Sequence, residues 1–458
     1  MHDSTLGRDI MKTLDILSRR SFIKAGTAGA VALGSLSLPG FARANAGGDY
    51  KALVEIRLGG GNDAVNTLMA LDDDGFEQYR NVRRHMALDR EGLLPVLEGS
   101  YGFNGAMPEI QRLFNGGTCA VVANIGSLVE PVTQASLQNG SVSIPRAVGG
   151  HTDQTAQWAW GEAKCANKLG WMGRVTDQMA ERHRPNTFPM NVTFGGNTSI
   201  RGQHLPVFSG SPWSSRWRTP DPMSFTRHNN SLSNAKERLL QRSFRHRLKA
   251  TFQGRAQETI SEAEMMSRVV ASLPSLRTQF PETSLGMRLK KIAQTIAIRN
   301  SPNVRATRQV FGTGFGNFDT HSGGLAGHNT LLRELSEAVG AFQAALEELG
   351  VADQVTTFTT SEFGRTVTPN ENGTDHGWGG HQMVFGGAVN GNAIYGQMPD
   401  LDPEGTDVIG RRVALIPTLA VEQYLAPLAR WFGLSQGQID TVFPNRAAFG
   451  GQRLAFLG

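Results

Sequence analysis

Cysteine is nearly absent from this sequence, which has only Cys119 and Cys165 in 458 residues. Two thiols are too few for a disulfide framework, although an oxidising compartment would permit one bridge between them. Cys119 lies in the apolar segment 118–123, whose composition predicts a buried strand. We therefore interpret Cys119 as a core residue.

A large excess of one charge is also missing. The formal net charge is +5, but residues 1–44 alone hold six Lys/Arg and three Asp/Glu, which leaves the remainder close to +2. The basic balance is thus mostly a property of the N-terminal segment. A nucleic-acid partner is not indicated.

Long apolar runs are lacking as well. The longest candidate, residues 25–38, has 14 residues and is rich in glycine, whereas a membrane-spanning helix needs roughly 20 apolar residues. No later segment reaches spanning length without charges. We predict no stable membrane anchor.

The N-terminal segment has the order of an export signal. Arg19 and Arg20 precede the apolar run 25–38, which ends in a small-residue cleavage site. This order indicates a removable signal of the twin-arginine (Tat) kind. We predict export in the folded state by the Tat translocase, cleavage after Ala44 or Ala46, and a periplasmic or secreted protein.

About 410 residues remain after the signal, enough for one large α/β domain. Helical patterns lie between several predicted strands, and the clearest helix is 330–349. Strands that alternate with helices indicate a central sheet that is largely parallel. The predicted strands are 51–58, 118–125, 188–195, 306–312, 354–360 and 383–387.

Residues 205–305 differ in character from the rest of the predicted domain, 45–458. A loop rich in Ser, Pro and Trp is followed by basic helical patterns at 235–252 and 259–273. We interpret 205–305 as a helical insertion or lid packed on the sheet. A partner-binding arm is the alternative.

Acidic residues follow three of the predicted strands. Asp63 comes after the first strand, Asp319 after the strand at 306–312, and Glu362 after the strand at 354–360. Ligands of open α/β sheets bind at the carboxyl ends of the strands. We therefore expect these three side chains at one edge of the sheet.

Histidines accompany these acids. Asp319 and His321 are two residues apart, so their side chains point to the same side of an extended segment. A glycine-rich loop at 373–381 adds Asp375 and His376. Carboxylates and imidazoles without thiolates suit Zn, Mn, Fe or a related divalent ion. Two such ions would clamp a phosphoryl or sulfuryl oxygen and activate a water.

In combination these motifs resemble a family of secreted bacterial proteins known as domain of unknown function 1501. The resemblance covers nearly the whole chain after the signal. It rests on the segments 60–63, 318–321, 361–366, 373–377, 428–433 and 443–445.

That family is similar in fold to the alkaline phosphatase and sulfatase superfamily. The resemblance therefore implies an alkaline-phosphatase-like α/β/α sandwich with a site for one or two divalent ions, Zn, Mn or similar. It assigns Asp63 and Glu362 to one metal. It assigns Asp319, His321 and His376 to the other.

The resemblance also bears on the remaining groups of the site. Asp375 would bind the metal or orient a ligating histidine. The superfamily's nucleophile is a Ser, Thr or modified Cys near the start of a helix, and here Gln154 falls close to that position, with Thr152 and Thr155 as neighbouring hydroxyls. Three alternatives follow: one of these threonines is the nucleophile, a water activated at the metal attacks, or the site is not catalytic.

Two functions are consistent with these residues. The first is a metal-dependent hydrolase that acts on a small anionic phosphate or sulfate ester. In it, Arg365 would grip the anion in bidentate fashion, or it would pair with Glu362 instead. The second is a non-catalytic secreted protein that retains the phosphatase-like fold and binds a partner or an envelope component.

Overall fold

The structure is a computed structural model that describes most of the chain from residue 50 onward. The predicted signal, Cys165 and most of the helical pattern at 259–273 lie outside the described residues. These are 50–164, 168–180, 190–210, 217–218, 238–242, 244–254, 256–257, 273–301, 304, 306–450 and 453–458.

The strands begin soon after residue 50 and recur along the chain. In the described ranges they are β1 (Lys51–Gly59), β2 (Leu68–Ala70), β3 (Leu94–Val96), β4 (Tyr101–Phe103), β5 (Cys119–Gly126), β6 (Asn191–Phe194), β7 (Val207–Gly210), β8 (Trp217–Arg218), β9 (Arg308–Gly316), β10 (Val355–Ser361), β11 (Gly380–Phe385), β12 (Ala393–Tyr395), β13 (Val408–Ile409), β14 (Ala414–Leu415) and β15 (Leu419–Ala420).

Helices separate most of these strands. In the same ranges they are α1 (Asp73–Arg83), α2 (Pro108–Asn115), α3 (Gln134–Gln138), α4 (His151–Trp160), α5 (Trp171–Met179), α6 (Ser284–Ala297), α7 (Gly324–Glu348), α8 (Val421–Phe432) and α9 (Gln436–Val442). The helix predicted at 330–349 is the C-terminal part of α7.

One sheet organises the described part of the chain. Its strand order is β12-β5-β11-β10-β1-β9-β6-β7-β8, with β15 also paired to β5. β1 is parallel to both β9 and β10, and β6 is parallel to β7 and β9. β11 is antiparallel to its neighbours β10 and β5. The predicted largely parallel sheet is confirmed.

Helices cover both faces of this sheet. Ala52 and Val54 of β1 belong to one buried cluster with Leu289 of α6 and other residues of α6 and α7. Leu53, which points the other way, belongs to a second cluster with Trp171 of α5 and residues of α8. This alternation is the period of two expected of a strand, and burial on both faces is typical of parallel strands. The layers are α/β/α, as predicted.

Three central strands end together at the same edge. Gly59 of β1 lies opposite Gly316, the last residue of β9. Leu58 lies opposite Ser361, the last residue of β10. The chain segments that leave these three strands therefore emerge side by side, which brings distant parts of the sequence to one place.

The described parts of the 205–305 stretch include elements of the main body. β7 extends the central sheet beside β6. Helix α6 is buried at Leu285 and Leu289 against α7. The insertion itself stays a prediction, because most of it lies outside the described residues.

Two further expectations can be compared with the structure. Cys119 is buried in β5 as a free thiol, and burial raises its pKa well above the ordinary value, in agreement with the prediction of a core residue. Among the described residues, no helix is both long and apolar enough to span a bilayer.

Candidate functional site

The loop after β1 packs directly on the segment after β9. Gly60 has φ of +113°, and a Cβ at this position would lie 2.3 Å from the backbone N of Asp319. The Gly60 N–H donates to Oε1 of Glu362 at 2.8 Å. Only glycine accepts both this φ and this close approach. The loop after β1 thus sets the distance between Asp319 and Glu362.

Three atoms that could bind a metal converge beside this loop. The Nε2 atoms of His321 and His376 lie 2.9 Å apart. Each also lies 3.1 Å from Oδ1 of Asp319. Ligand atoms on a tetrahedral zinc ion, with Zn–N near 2.0 Å, are separated by roughly 3.3 Å. The three atoms therefore have about the spacing of a coordination shell.

The outer nitrogens of both rings are engaged by oxygen acceptors. Nδ1 of His321 lies 3.0 Å from Oδ1 of Asp375, and Nδ1 of His376 lies 2.7 Å from the carbonyl oxygen of Gly149. These contacts place the ring protons on Nδ1 and leave a lone pair on each Nε2. Two lone pairs and a carboxylate oxygen that face each other are suited to bind a cation between them. Metal-binding histidines commonly have such outer partners.

The charge states of the site also suit a cation. Partial burial raises the pKa of Asp319, but the hydrogen bond and the positive charge of Arg365 oppose it, and the pKa lies below the ordinary value. Burial lowers the pKa of His376. Carboxylate and neutral imidazole are the forms that bind metals. Two nitrogens, one carboxylate oxygen and no thiolate fit Zn or Mn.

A further histidine, not assigned from the sequence, also lies at this site. His151 is the first residue of α4, and its Nδ1 lies 2.9 Å from Oε1 of Glu362. Its Nε2 lies 3.5 Å from Oδ2 of Asp319. One ligand atom each from His151, Asp319 and His376 lie within 4.8 Å of one another, which makes them a possible metal-binding group. The available sequence signal was a histidine directly after Gly149-Gly150 at a helix start.

The residues near the expected nucleophile position have other surroundings. Gln154 is buried, and its Oε1 accepts a hydrogen bond from the Gly149 N–H at 2.6 Å. Neither Thr152 nor Thr155 makes a side-chain hydrogen bond to a described residue of the site. From α4, the side chain that reaches Glu362 and Asp319 is His151. The assignment of the two threonines as catalytic stays a prediction.

Asp63 is placed differently from the expectation. Its carboxylate forms a buried ion pair with Arg83, whose side chain is fully buried. Asp63 also caps the short turn that starts at Ala64. A metal at Asp63 would have to displace a buried guanidinium. Asp63 and Glu362 thus have different partners in the described residues, and their assignment to one metal stays a prediction.

Arg365 also differs from both roles considered for it. Its buried guanidinium donates to Oδ1 of Asp319 at 2.8 Å, to the Gly60 carbonyl at 3.1 Å and to Thr374. It makes no ion pair with Glu362 in the described part of the chain. With these partners, and without exposed surface, Arg365 orients Asp319 and the surrounding loops and does not face an incoming anion.

An open cavity of about 430 Å³ lies against the histidines. His321, Asp375 and His376 form one wall, and the hairpin of β13 and β14 forms the other. Arg412 lies in this hairpin, and its exposed guanidinium pairs with Asp375. The sequence offered no motif for Arg412, because only the hairpin brings it to the site.

Residues 50–440 match the protein-family model described as "Protein of unknown function (DUF1501)". No curated protein matches the chain significantly.

Solved structures resemble the chain only distantly. The PsFucS1 sulfatase from Pseudoalteromonas sp. is 10% identical, with 85% of this chain and 68% of that chain covered and a TM-score of 0.34. The C-terminal periplasmic domain of EcEptC from Escherichia coli is 9% identical, with 86% of each chain covered and a TM-score of 0.36. Scores of this size support no inference about the present chain.

Proposed function

This chain belongs to the DUF1501 family, and we propose that it is a metal-dependent hydrolase of phosphate or sulfate esters. The observation that carries the proposal is the convergence of Asp319 Oδ1, His321 Nε2 and His376 Nε2 within 3.1 Å of one another. The protonated Nδ1 atoms of His321 and His376 face away from this group. The two Nε2 atoms and Asp319 Oδ1 therefore present only lone pairs to a cation.

These three residues would hold one divalent cation. When bound, such an ion supplies a Lewis acid that polarises a phosphoryl or sulfuryl oxygen. Asp375 and the Gly149 carbonyl fix the two imidazole rings. Arg365 holds the Asp319 carboxylate in place from the buried side.

His151 is the proposed general base. Glu362 accepts the hydrogen bond from Nδ1 of His151, which leaves Nε2 free to take a proton from the attacking water. Glu362 is itself held by the Gly60 N–H. A carboxylate that orients an imidazole in this way fixes both its tautomer and its direction.

Arg412 is the proposed contact for the anionic ester. Its side chain is 68% exposed and lines the cavity beside His321 and His376. A guanidinium can bind two phosphate or sulfate oxygens at once. Because Arg412 pairs with Asp375, an ester bound there would also lie close to the histidines.

The first test is hydrolysis of p-nitrophenyl phosphate and p-nitrocatechol sulfate by protein loaded with Zn or Mn, with bound metal measured by mass spectrometry. We expect about one equivalent of metal and turnover of one ester, and loss of both in His376→Ala. His85→Ala, an exposed histidine outside the site, is the control. Absence of metal from the wild type would refute the proposal.

A non-catalytic binding protein is the second candidate function. Ion pairs of Asp319 with Arg365 and of Asp375 with Arg412 favour it, because each acid already has a cationic partner within the chain. Metal binding without turnover of either ester would support this alternative.

For the route to its location, we propose export by the Tat translocase to the periplasm or beyond. The support is the order of the segment 1–44, with Arg19 and Arg20 ahead of a short apolar run. Cell fractionation of a conservative Arg19→Lys/Arg20→Lys variant tests this. Retention of the variant in the cytoplasm is expected, and unchanged export would contradict the proposal.

A further inference from the structure

A second cavity lies at the opposite edge of the central sheet. Its volume is about 450 Å³, and we term it the basic pocket, defined by Lys51, Arg430, Trp431, Arg446, Arg453 and Leu457. Lys51 is the first residue of β1, whereas the candidate metal site follows Gly59, the last. Eight residue steps in a strand span roughly 26 Å. The two sites are therefore separate.

Positive charge dominates the basic pocket. Four cationic side chains line it, and no Asp or Glu does so among the described residues. Gly458 also lines it. The pKa of Arg430 is lowered, mainly by burial and to a smaller extent by the charges of Arg453 and Arg446. Like charges are thus held close together.

Two of the arginines have unused donors. The Nε atom of Arg446 is buried and has no partner in the described part of the chain. The guanidinium of Arg453 makes no hydrogen bond or ion pair with any described residue. Arg446 does pair with Asp440 at 2.8 Å, but Asp440 lies outside the pocket lining. Donors without acceptors in a cationic cavity favour an anionic ligand.

The remaining wall is apolar. Trp431 is mostly buried, and Lys51 lies 5.1 Å from its ring centroid. Ala426, Pro427 and Leu457 continue this surface. Pockets for small organic ligands have similar volumes and combine an apolar wall with a few placed polar groups. A ligand with a multiply charged anionic group and an apolar part would complement both the cationic side and the apolar wall of the pocket.

We propose that the basic pocket binds a small phosphorylated organic molecule. Its phosphate lies between Arg430, Arg446 and Arg453, because guanidinium groups match phosphate oxygens in pairs. Its apolar part lies against Trp431 and Leu457. This binding does not depend on the metal or on the hydrolase activity.

The test is isothermal titration calorimetry with benzylphosphonate, whose C–P bond an ester hydrolase does not cleave. Methylphosphonate, which lacks the apolar part, and benzyl alcohol, which lacks the charge, are the matched probes. The proteins are the wild type, Arg453→Gln, Arg430→Gln, His376→Ala, and Arg80→Gln as an exposed control outside the pocket.

We expect benzylphosphonate to bind the wild type and to bind more tightly than either matched probe. Loss of one charged contact should weaken binding by about tenfold or more in Arg453→Gln and Arg430→Gln. His376→Ala and Arg80→Gln should bind as the wild type does. Absence of wild-type binding, wild-type affinity in both pocket variants, or loss only in His376→Ala would each overturn the proposal.

Discussion

Oδ1 of Asp375 accepts a hydrogen bond from Nδ1 of His321, with 3.0 Å between the two atoms, and Oδ2 of Asp375 pairs with Arg412. This one carboxylate therefore connects the candidate metal site to the arginine of the neighbouring cavity. Because Asp375 fixes the Nδ1 side of the His321 ring, the Nε2 atom of His321 points at His376.

Removal of this carboxylate should weaken metal binding. In Asp375→Ala, His321 loses the partner that fixes its tautomer, and we expect metal affinity to fall about 10- to 100-fold. Competition with a chromophoric chelator measures this change. Asp89→Ala, an exposed acid outside the site, should keep the wild-type affinity. Equal affinity in Asp375→Ala would show that this contact does not orient a metal ligand.

His151 and His321 should behave differently when each is changed to alanine. If His151 is the base, His151→Ala retains the metal and loses at least about 100-fold in kcat, the usual contribution of general base catalysis. His321→Ala should lose the metal itself. Metal content and ester turnover are measured on the same preparations. Loss of metal in His151→Ala would make His151 a ligand instead.

The buried pair of Asp63 and Arg83 should matter for stability and not for metal. Arg83→Met leaves a buried carboxylate without its partner, which typically costs about 3–5 kcal/mol of unfolding free energy. Urea unfolding measures this loss. Addition of Asp63→Asn should recover part of it, because the uncompensated charge is then removed. A folded Asp63→Asn protein without metal would return Asp63 to the ligand set.

Gly60→Ala should damage the site through the backbone. The added Cβ would lie 2.3 Å from the N of Asp319, so the two loops must separate. We expect lower stability together with weaker metal binding. Gly117→Ala is the matched control, because its φ is +75° and the space around it is open. It should cost only about 1–2 kcal/mol for the left-handed conformation and leave metal affinity unchanged.

Glu422 should make stability depend on pH. Burial raises its pKa from about 4.5 to about 8, and Oε2 has no partner in the described part of the chain. The folded state therefore keeps a proton that the unfolded state releases between these two pH values. The resulting stabilisation is complete below about pH 4.5 and is lost as pH rises to about 8.

The variant Glu422→Gln keeps the shape of the protonated acid and should remove this dependence. We expect its Tm to exceed that of the wild type at pH 8 and to match it near pH 4.5. Glu404→Gln, an exposed glutamate, is the control. Parallel Tm profiles for wild type and Glu422→Gln would contradict the protonated state.

Local sequence patterns were sufficient for the central strands. β1, β5 and β10 lie where apolar segments predicted them, because buried strands need continuous apolar composition and glycine or polar residues mark their ends. β9 continues to Gly316, beyond the predicted 306–312, because its glycines are part of the strand and not of a loop. The largely parallel sheet followed from the alternation of strands with helices, whereas the α/β/α layers were implied by the family resemblance. The predicted strand at 383–387 was shifted from the observed β11, Gly380–Phe385, since His381 and Gln382 hide its apolar pattern.

The candidate site, like the fold, could be predicted from the sequence only in part. The sequence alone identified Asp319, His321 and His376 as candidate ligands, because Asp319 and His321 share one segment and His376 follows an acid in a glycine-rich loop, but it did not reveal His151. The partners of the site residues depend on tertiary packing. The contacts of Glu362 with His151 and of Asp63 with Arg83 join residues far apart in the chain or on different elements. Such contacts are set by the register of the sheet and the packing of helices on it, which no local pattern encodes.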